Sequence, residues 1–410
     1  MSERSATAVS TLSAEVSATV DPRGALAPLY RPPNILFVRG EGCDLIDESG
    51  RRYLDFTSGI GVNALGHGST VVREAIECVL ESGLIHSSNL FRTSPAEELA
   101  RRLAAASGLD RAFFCNSGAE SVEGALKFAK KWAKSKGGSE KHRIVSLRGS
   151  FHGRLFGSLA TTDRPDYQRP FEPLMPGVDF VDSSDLAALD QALHPGQTAA
   201  LILEPIQGEG GVHPLPGETF QLLRQWTRER DIALIVDEIQ CGLGRSGELF
   251  AFEAAGIRPD LLCLAKPLAG GLPMGAVLLS EEISSVLAPG DHGTTFGGGP
   301  LVASVAVAVL GVLSDPEFLR GVRERGDALG ELLEGIRRRH PKLVQGARGR
   351  GLIRGVELTE EAAPVVARAR EAGLLTVPAG ARVIRLLPPL NVSLAEIERG
   401  AALLEGSLVP

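Results

Sequence analysis

Cysteines are few and none pair: Cys43, Cys78, Cys115, Cys241 and Cys263 are scattered, odd in number and never spaced C-x-x-C. That pattern offers neither a disulfide framework nor a zinc site, and a reducing cytoplasm is the expected location. Long apolar runs are missing as well. The longest, Leu301 to Leu313, falls short of the ~20 residues that cross a hydrocarbon core, so it reads as a buried helix and no membrane partner is expected. There is no basic excess: 43 Lys and Arg stand against 50 Asp and Glu, a net charge of -7. Such a chain presents no broad field for nucleic acid, and any anion must be held by a local site. The segment from Met1 to about Ala27 is rich in Ser, Thr and Ala but lacks a basic start and an apolar core, so it reads as a mobile tail and not a secretion signal. The eight histidines include no H-E-x-x-H set, so no metal site is expected, and no G-x-x-x-x-G-K-S/T sequence suggests a nucleoside triphosphate.

What is present is an ordinary globular composition, 43% hydrophobic and 23% charged, in 410 residues. That length exceeds one ordinary core and implies two domains. Short apolar runs alternate with helical patterns through the middle of the chain, predicting an α/β fold with a mostly parallel sheet covered by helices. Five runs carry the functional argument: Ala112 to Cys115, Arg143 to Leu147, Ala199 to Glu204, Ile232 to Asp237, and Leu261 to Ala265. Ligands of open α/β sheets sit outside the carboxyl ends of the strands, so the residues following these runs should share one crevice. Helices are expected after Gly118, with Val122, Leu126, Ala129 and Trp132 on the buried face, and from about Glu218 to Arg230, with Leu222 and Trp226 buried. A capping box, Ser393 to Glu396, opens the last helix.

Lys266 closes an apolar run. There its charged form is disfavoured and its neutral amine becomes a nucleophile toward an aldehyde, although a strand-ending surface lysine fits the same pattern. Asp237 ends another apolar run, where a carboxylate needs a cationic partner such as a protonated pyridine nitrogen; an aspartate capping the next turn is the plainer alternative. Ser117, Gly118 and Ala119 lie between a strand and a helix and can hold a phosphate at the helix N-terminus, or simply cap it. Phe151, followed by His152, can stack on a flat cofactor or pack in the core. Arg154 and Arg385 suit carboxylates, or a solvated surface.

Together these residues resemble the class III (ornithine-type) aminotransferases, which are fold-type I pyridoxal-phosphate enzymes. The likeness runs from about Tyr30 to the C-terminus, through Val62 to His67, Phe114 to Glu120, Phe151 to Arg154, Glu204 to Gly210, Asp237 to Gln240, Gly242 to Gly247, Lys266, and Thr294 to Gly297. The resemblance implies a large cofactor-binding domain (76–315), a smaller α+β domain (316–410) and an N-terminal segment (28–75) joining the small one. It implies pyridoxal 5'-phosphate on Lys266, Asp237 at the pyridine nitrogen, Gln240 near the ring hydroxyl and Phe151 stacked on the ring, beside His152. Ser117, Gly118 and Ala119 would hold the phosphate with Thr295 of a neighbouring subunit, so a homodimer is expected. Arg154 would bind a distal carboxylate. Arg385 would take the α-carboxylate of glutamate and otherwise pair with Glu209. Tyr30 and Ile60 would border the substrate, and an apolar Ile60 suits an acylated amine better than free ornithine. Within the family, Gly61 to His67, Leu84 to Phe91 and Leu386 to Leu390 look most like members that pass the terminal amine of N2-acetyl-L-ornithine to 2-oxoglutarate. Other class III amine donors, or an aminomutase or racemase of the same fold, are the alternatives. Ser69-Thr70, Pro267 and Gly299 depart from the usual pattern.

Overall fold

Seven strands form the central sheet of the computed structural model, which describes residues 25–409; the expected tail, residues 1–27, lies for the most part outside the described residues. In chain order they are β1 (Arg111–Cys115), β2 (Arg143–Leu147), β3 (Val178–Val181), β4 (Thr198–Leu203), β5 (Ala233–Asp237), β6 (Leu261–Leu264) and β7 (Gly275–Leu279). Their order across the sheet is β1-β7-β6-β5-β4-β2-β3. All neighbours run parallel except β7, which is antiparallel to both β6 and β1. Every residue of β4, β5, β6 and β7 is buried. Continuous apolar runs mark strands covered on both faces, and these strands satisfy that rule.

Alternate side chains serve the two faces. Ala200, Ile202, Ile235, Cys263 and Val277 meet Val122, Ala125, Leu126, Ala129 and Trp132 of the helix Gly118–Gly137. Leu201, Leu203, Leu234, Val236, Leu262 and Leu264 join the larger core with Leu99, Leu103 and the helix Pro300–Leu313. The helix Gly217–Glu229 presents Phe220, Leu223 and Thr227 to this core, whereas Leu222 and Trp226 are only half-buried. This corrects the expected burial: Trp226 packs against the rim of the core, its ring 5.3 Å from the Arg230 guanidinium. Long side chains with a polar edge commonly settle at such rims.

Beyond Asp315 a second, antiparallel sheet orders Val344–Arg350, Ile353–Leu358, Val383–Leu386 and Val377–Ala379. The helices Pro316–Arg339 and Leu394–Gly406 pack together beside it, the latter opened by the Ser393–Glu396 capping box. An N-terminal meander, Phe37–Glu41, Asp44–Asp47 and Arg52–Asp55, is extended by Leu374–Leu375, which pairs parallel to its last strand. The first and last parts of the chain therefore share a sheet. Among the described residues no single helix is long and apolar enough to cross a membrane.

Candidate active site

Residues following β1, β2, β4, β5 and β6 meet at one cavity of about 440 Å³, where Asn116 to Ala119, Phe151 to Arg154, Glu204, Glu209, Asp237, Ile239, Gln240 and Lys266 line the wall. Lys266 lies just past β6, at the start of the 3-10 turn Lys266–Ala269, with a positive φ of 27°. Its backbone there adopts a conformation that side-chain-bearing residues rarely take. Such a position persists only when its surroundings hold it. Burial pushes the Lys266 amine below its ordinary 10.5, against the opposing pull of Asp237 and Glu209, while nearby Arg385 adds to the fall. A buried amine loses hydration of its charged form, which favours the neutral nucleophile.

Asp237, 4% exposed, is fixed by two hydrogen bonds. Its Oδ1 accepts the Ile239 N–H at 3.0 Å and its Oδ2 accepts Nδ1–H of His152 at 2.8 Å. His152 Nε2 is buried without a hydrogen-bond partner. At another edge of the cavity, Ser117 caps the helix Gly118–Gly137 and its Oγ accepts the Glu120 N–H. The Glu120 carboxylate accepts the Asn116 N–H at 2.6 Å. The first-turn amides of Gly118 and Ala119 remain at the cavity wall, where a helix N-terminus favours an anion. Gly275 passes so close that a Cβ there would lie 2.3 Å from the Ser117 carbonyl oxygen.

The two arginines stand differently. Arg385, on strand Val383–Leu386 and 1% exposed, donates Nη1–H to Gln240 Oε1 at 2.8 Å and pairs through Nη2 with Glu209 Oε1 at 2.7 Å. Arg154 is exposed, its guanidinium 3.5 Å from the Tyr167 ring centroid and 5.7 Å from that of Phe151. Four expected residues do not line this cavity: Arg385 lies behind Gln240 and Glu209, which do, Tyr30 and Thr295 are exposed, and Ile60 is 41% exposed in a turn beside Val62, which lines it. Thr294, next to Thr295, accepts a hydrogen bond from Asn116 Nδ2 at 2.8 Å.

Two buried carboxylates, Glu204 and Glu238, stood in the sequence motifs without an assigned role. Glu204, 6% exposed at the end of β4, accepts the N–H groups of Phe151 at 2.9 Å and Gly208 at 3.2 Å; burial pushes its carboxyl up to about 7, and His152 pulls it back. Glu238 is fully buried, accepts the N–H groups of Ala251 and Phe252 at 2.7 Å each, and is pushed by burial up to about 8. An acid directly after a wholly apolar strand was the available signal, the same one that marked Asp237.

The model of the family described as aminotransferase class-III matches residues 25–408. The chain belongs to the class-III aminotransferases. An acetylornithine aminotransferase from Gloeobacter violaceus is 46% identical, covering 92% of this chain and 94% of that protein. The ornithine aminotransferase of Toxoplasma gondii, in a structure with pyridoxal phosphate partly occupying its active site, superposes with a TM-score of 0.91 at 31% identity, covering 98% of this chain and 97% of that one. The N-acetylornithine aminotransferase of Stenotrophomonas maltophilia superposes with a TM-score of 0.80 at 35% identity, covering 92% and 96%. This class-III aminotransferase is accordingly a pyridoxal-phosphate enzyme. Its cavity fits that cofactor: a buried amine whose charge is disfavoured, a buried carboxylate, and a helix N-terminus for a phosphate line one wall.

Proposed function

We propose that this aminotransferase moves the terminal amine of N2-acetyl-L-ornithine to 2-oxoglutarate, giving the 5-semialdehyde and L-glutamate, and that it works as a homodimer. The observation that carries the reading is the closed Arg385–Glu209 pair, whose Glu209 lines the same cavity as Lys266 and Asp237. The acetylornithine aminotransferase names of the relatives, and the apolar Ile60 beside the cavity, support the choice of donor.

Once bound, pyridoxal phosphate supplies an aldehyde for amines and a protonated ring that withdraws the electrons left by a departing proton. Lys266 anchors it and holds, on Nζ, the proton released by the amine-bearing carbon. Asp237, oriented by His152, would keep the ring nitrogen charged, Phe151 would pack against the ring and Gln240 would meet its oxygen. Ser117, Gly118 and Ala119 receive the phosphate, joined by Thr295 of the neighbouring subunit. Arg154 binds the carboxylate far from the reacting carbon in either substrate. With the acylated donor Arg385 stays paired to Glu209; with glutamate or 2-oxoglutarate Glu209 swings away and the guanidinium takes the α-carboxylate. A free α-ammonium beside Ile60 would be left unpaired, which disfavours ornithine.

A panel of acetylornithine, succinylornithine, ornithine and 4-aminobutyrate, each with 2-oxoglutarate, tests the donor; a preference for ornithine or 4-aminobutyrate would reject it. Arg385→Ala should slow the glutamate half-reaction about a hundredfold, the scale for losing one partner of a buried charge pair. The amine half-reaction should fall far less, and equal losses would reject the division of labour.

A further inference from the structure

Arg385 has two partners, Glu209 and Gln240, and both touch the same glycine. Gly208 precedes Glu209 in the chain, and a Cβ on Gly208 would lie 1.8 Å from Gln240 Oε1, the atom that accepts from Arg385. The same Cβ would lie 3.3 Å from Arg385 Nη1. The position of Gly208 therefore governs both contacts that close the guanidinium. Gly208 is tied by its N–H to Glu204, whose other oxygen holds the N–H of Phe151, a residue of the cavity wall.

We propose that Glu204 is a positioning residue that locks the loop carrying Glu209 to the loop carrying Phe151, and so sets how firmly Arg385 is closed against the amine donor. The inference rests on the reading of Arg385 and Glu209 as a gate. Among the described residues Glu204 is in no ion pair; its carboxylate spends both oxygens on the two backbone amides. Burying an acid without a cation is costly, and a carboxylate is the side chain whose two oxygens accept from two separated amides at once. Glutamine at this position would turn an NH2 group toward one of those N–H groups. The Gly208 contact, the longer of the two, would be the one released.

The test compares Glu204→Gln, Glu209→Gln and Gly208→Ala with the wild type in the cofactor-loaded enzyme. Each half-reaction is followed separately, and hydrogen exchange is read over residues 205–212. For Glu204→Gln, KM for the amine donor should rise about tenfold, the scale of one lost hydrogen bond to a charged group. Its kcat should stay within about twofold, since no reacting atom is touched, and KM for 2-oxoglutarate should hold or fall. Exchange in 205–212 should quicken. Gly208→Ala, which displaces the loop while Glu204 remains, should give the same split if Glu204→Gln fails to fold. If Glu209→Gln divides the half-reactions but the other two variants leave donor KM and exchange unchanged, the proposal for Glu204 falls and the gate stands. If Glu209→Gln does not divide them, the gate reading fails and takes this proposal with it.

Discussion

At the floor of the cavity, Lys266, Asp237 and His152 follow the buried strands β6, β5 and β2, and each is held by burial or by a hydrogen bond within the chain. Tyr30, 86% exposed, Ile60, 41% exposed beside Val62 of the cavity wall, and solvent-facing Thr295 would form its mouth in the proposed homodimer. The floor is completed by one chain's own sheet; the mouth has surfaces with nothing across them in a single chain. Exposed Phe296 adjoins Thr295, and Asn89, next to exposed Leu90 and Phe91, donates to the Thr294 carbonyl. Floor variants should therefore act at every protein concentration, and mouth variants only through the neighbouring subunit.

The largest effect belongs to the floor. Lys266→Ala removes both the covalent anchor and the proton carrier, and turnover should fall by at least ~10³-fold, the range lost with a nucleophile that also does acid-base work. Borohydride should no longer fix the cofactor to the chain. Mixing with wild-type subunits should not restore the mutated site, because this lysine serves its own cavity. Normal turnover by Lys266→Ala would remove the basis of the whole comparison.

The floor was also the part most legible in sequence. Five apolar runs, ending at Cys115, Leu147, Glu204, Asp237 and Ala265, are signals that act locally, and burial of β4, β5 and β6 on both faces makes theirs loud. The helix Gly118–Gly137 and the last capping box were readable for the same reason: period and cap chemistry lie within a few residues. Other features depended on distant partners. Strand β7 runs antiparallel between β1 and β6, an arrangement set by tertiary pairing. Residues 58–61 all have positive φ, 47° at Ser58, 63° at Gly59, 66° at Ile60 and 82° at Gly61. Two of these are not glycine, and nothing in local propensity announces a left-handed turn containing a β-branched isoleucine. Asp55 braces it, accepting the N–H groups of Thr57 and Ser58 and a hydrogen bond from His67, contacts no local pattern displays. Leu222 and Trp226 were overrated: both are half-buried, Trp226 packing against the edge of the core that Phe220 and Leu223 enter fully.

A second effect, at the fully buried neighbour of Asp237, concerns stability and pH. Burial pushes the Glu238 carboxyl from its ordinary 4.5 up to about 8. The folded chain thus keeps a proton that the unfolded chain releases once pH passes the ordinary carboxyl range. By linkage, the stability from this site is fully present below about pH 4.5 and is lost as pH rises through about 8. Glu238→Gln should flatten that part of the thermal-stability profile while keeping one acceptor for the Ala251 and Phe252 amides. A variant profile parallel to wild type between pH 5 and 8 would show that Glu238 does not carry the proton.

The smallest effect, and the sharpest for the mouth, is Thr295→Ala. One hydrogen bond to the phosphate is worth about 1 kcal/mol, so cofactor affinity should weaken about fivefold. That alone does not say which subunit's site has been weakened, but mixing does. In a mixed dimer of Thr295→Ala and Lys266→Ala subunits, the cavity that keeps Lys266 belongs to the chain with Ala at 295. If Thr295 reaches across, the partner subunit supplies an intact threonine to that cavity, and its cofactor affinity should return to the wild-type value. If Thr295 serves its own chain, the same cavity stays fivefold weak at every mixing ratio, and the mouth would then be built like the floor.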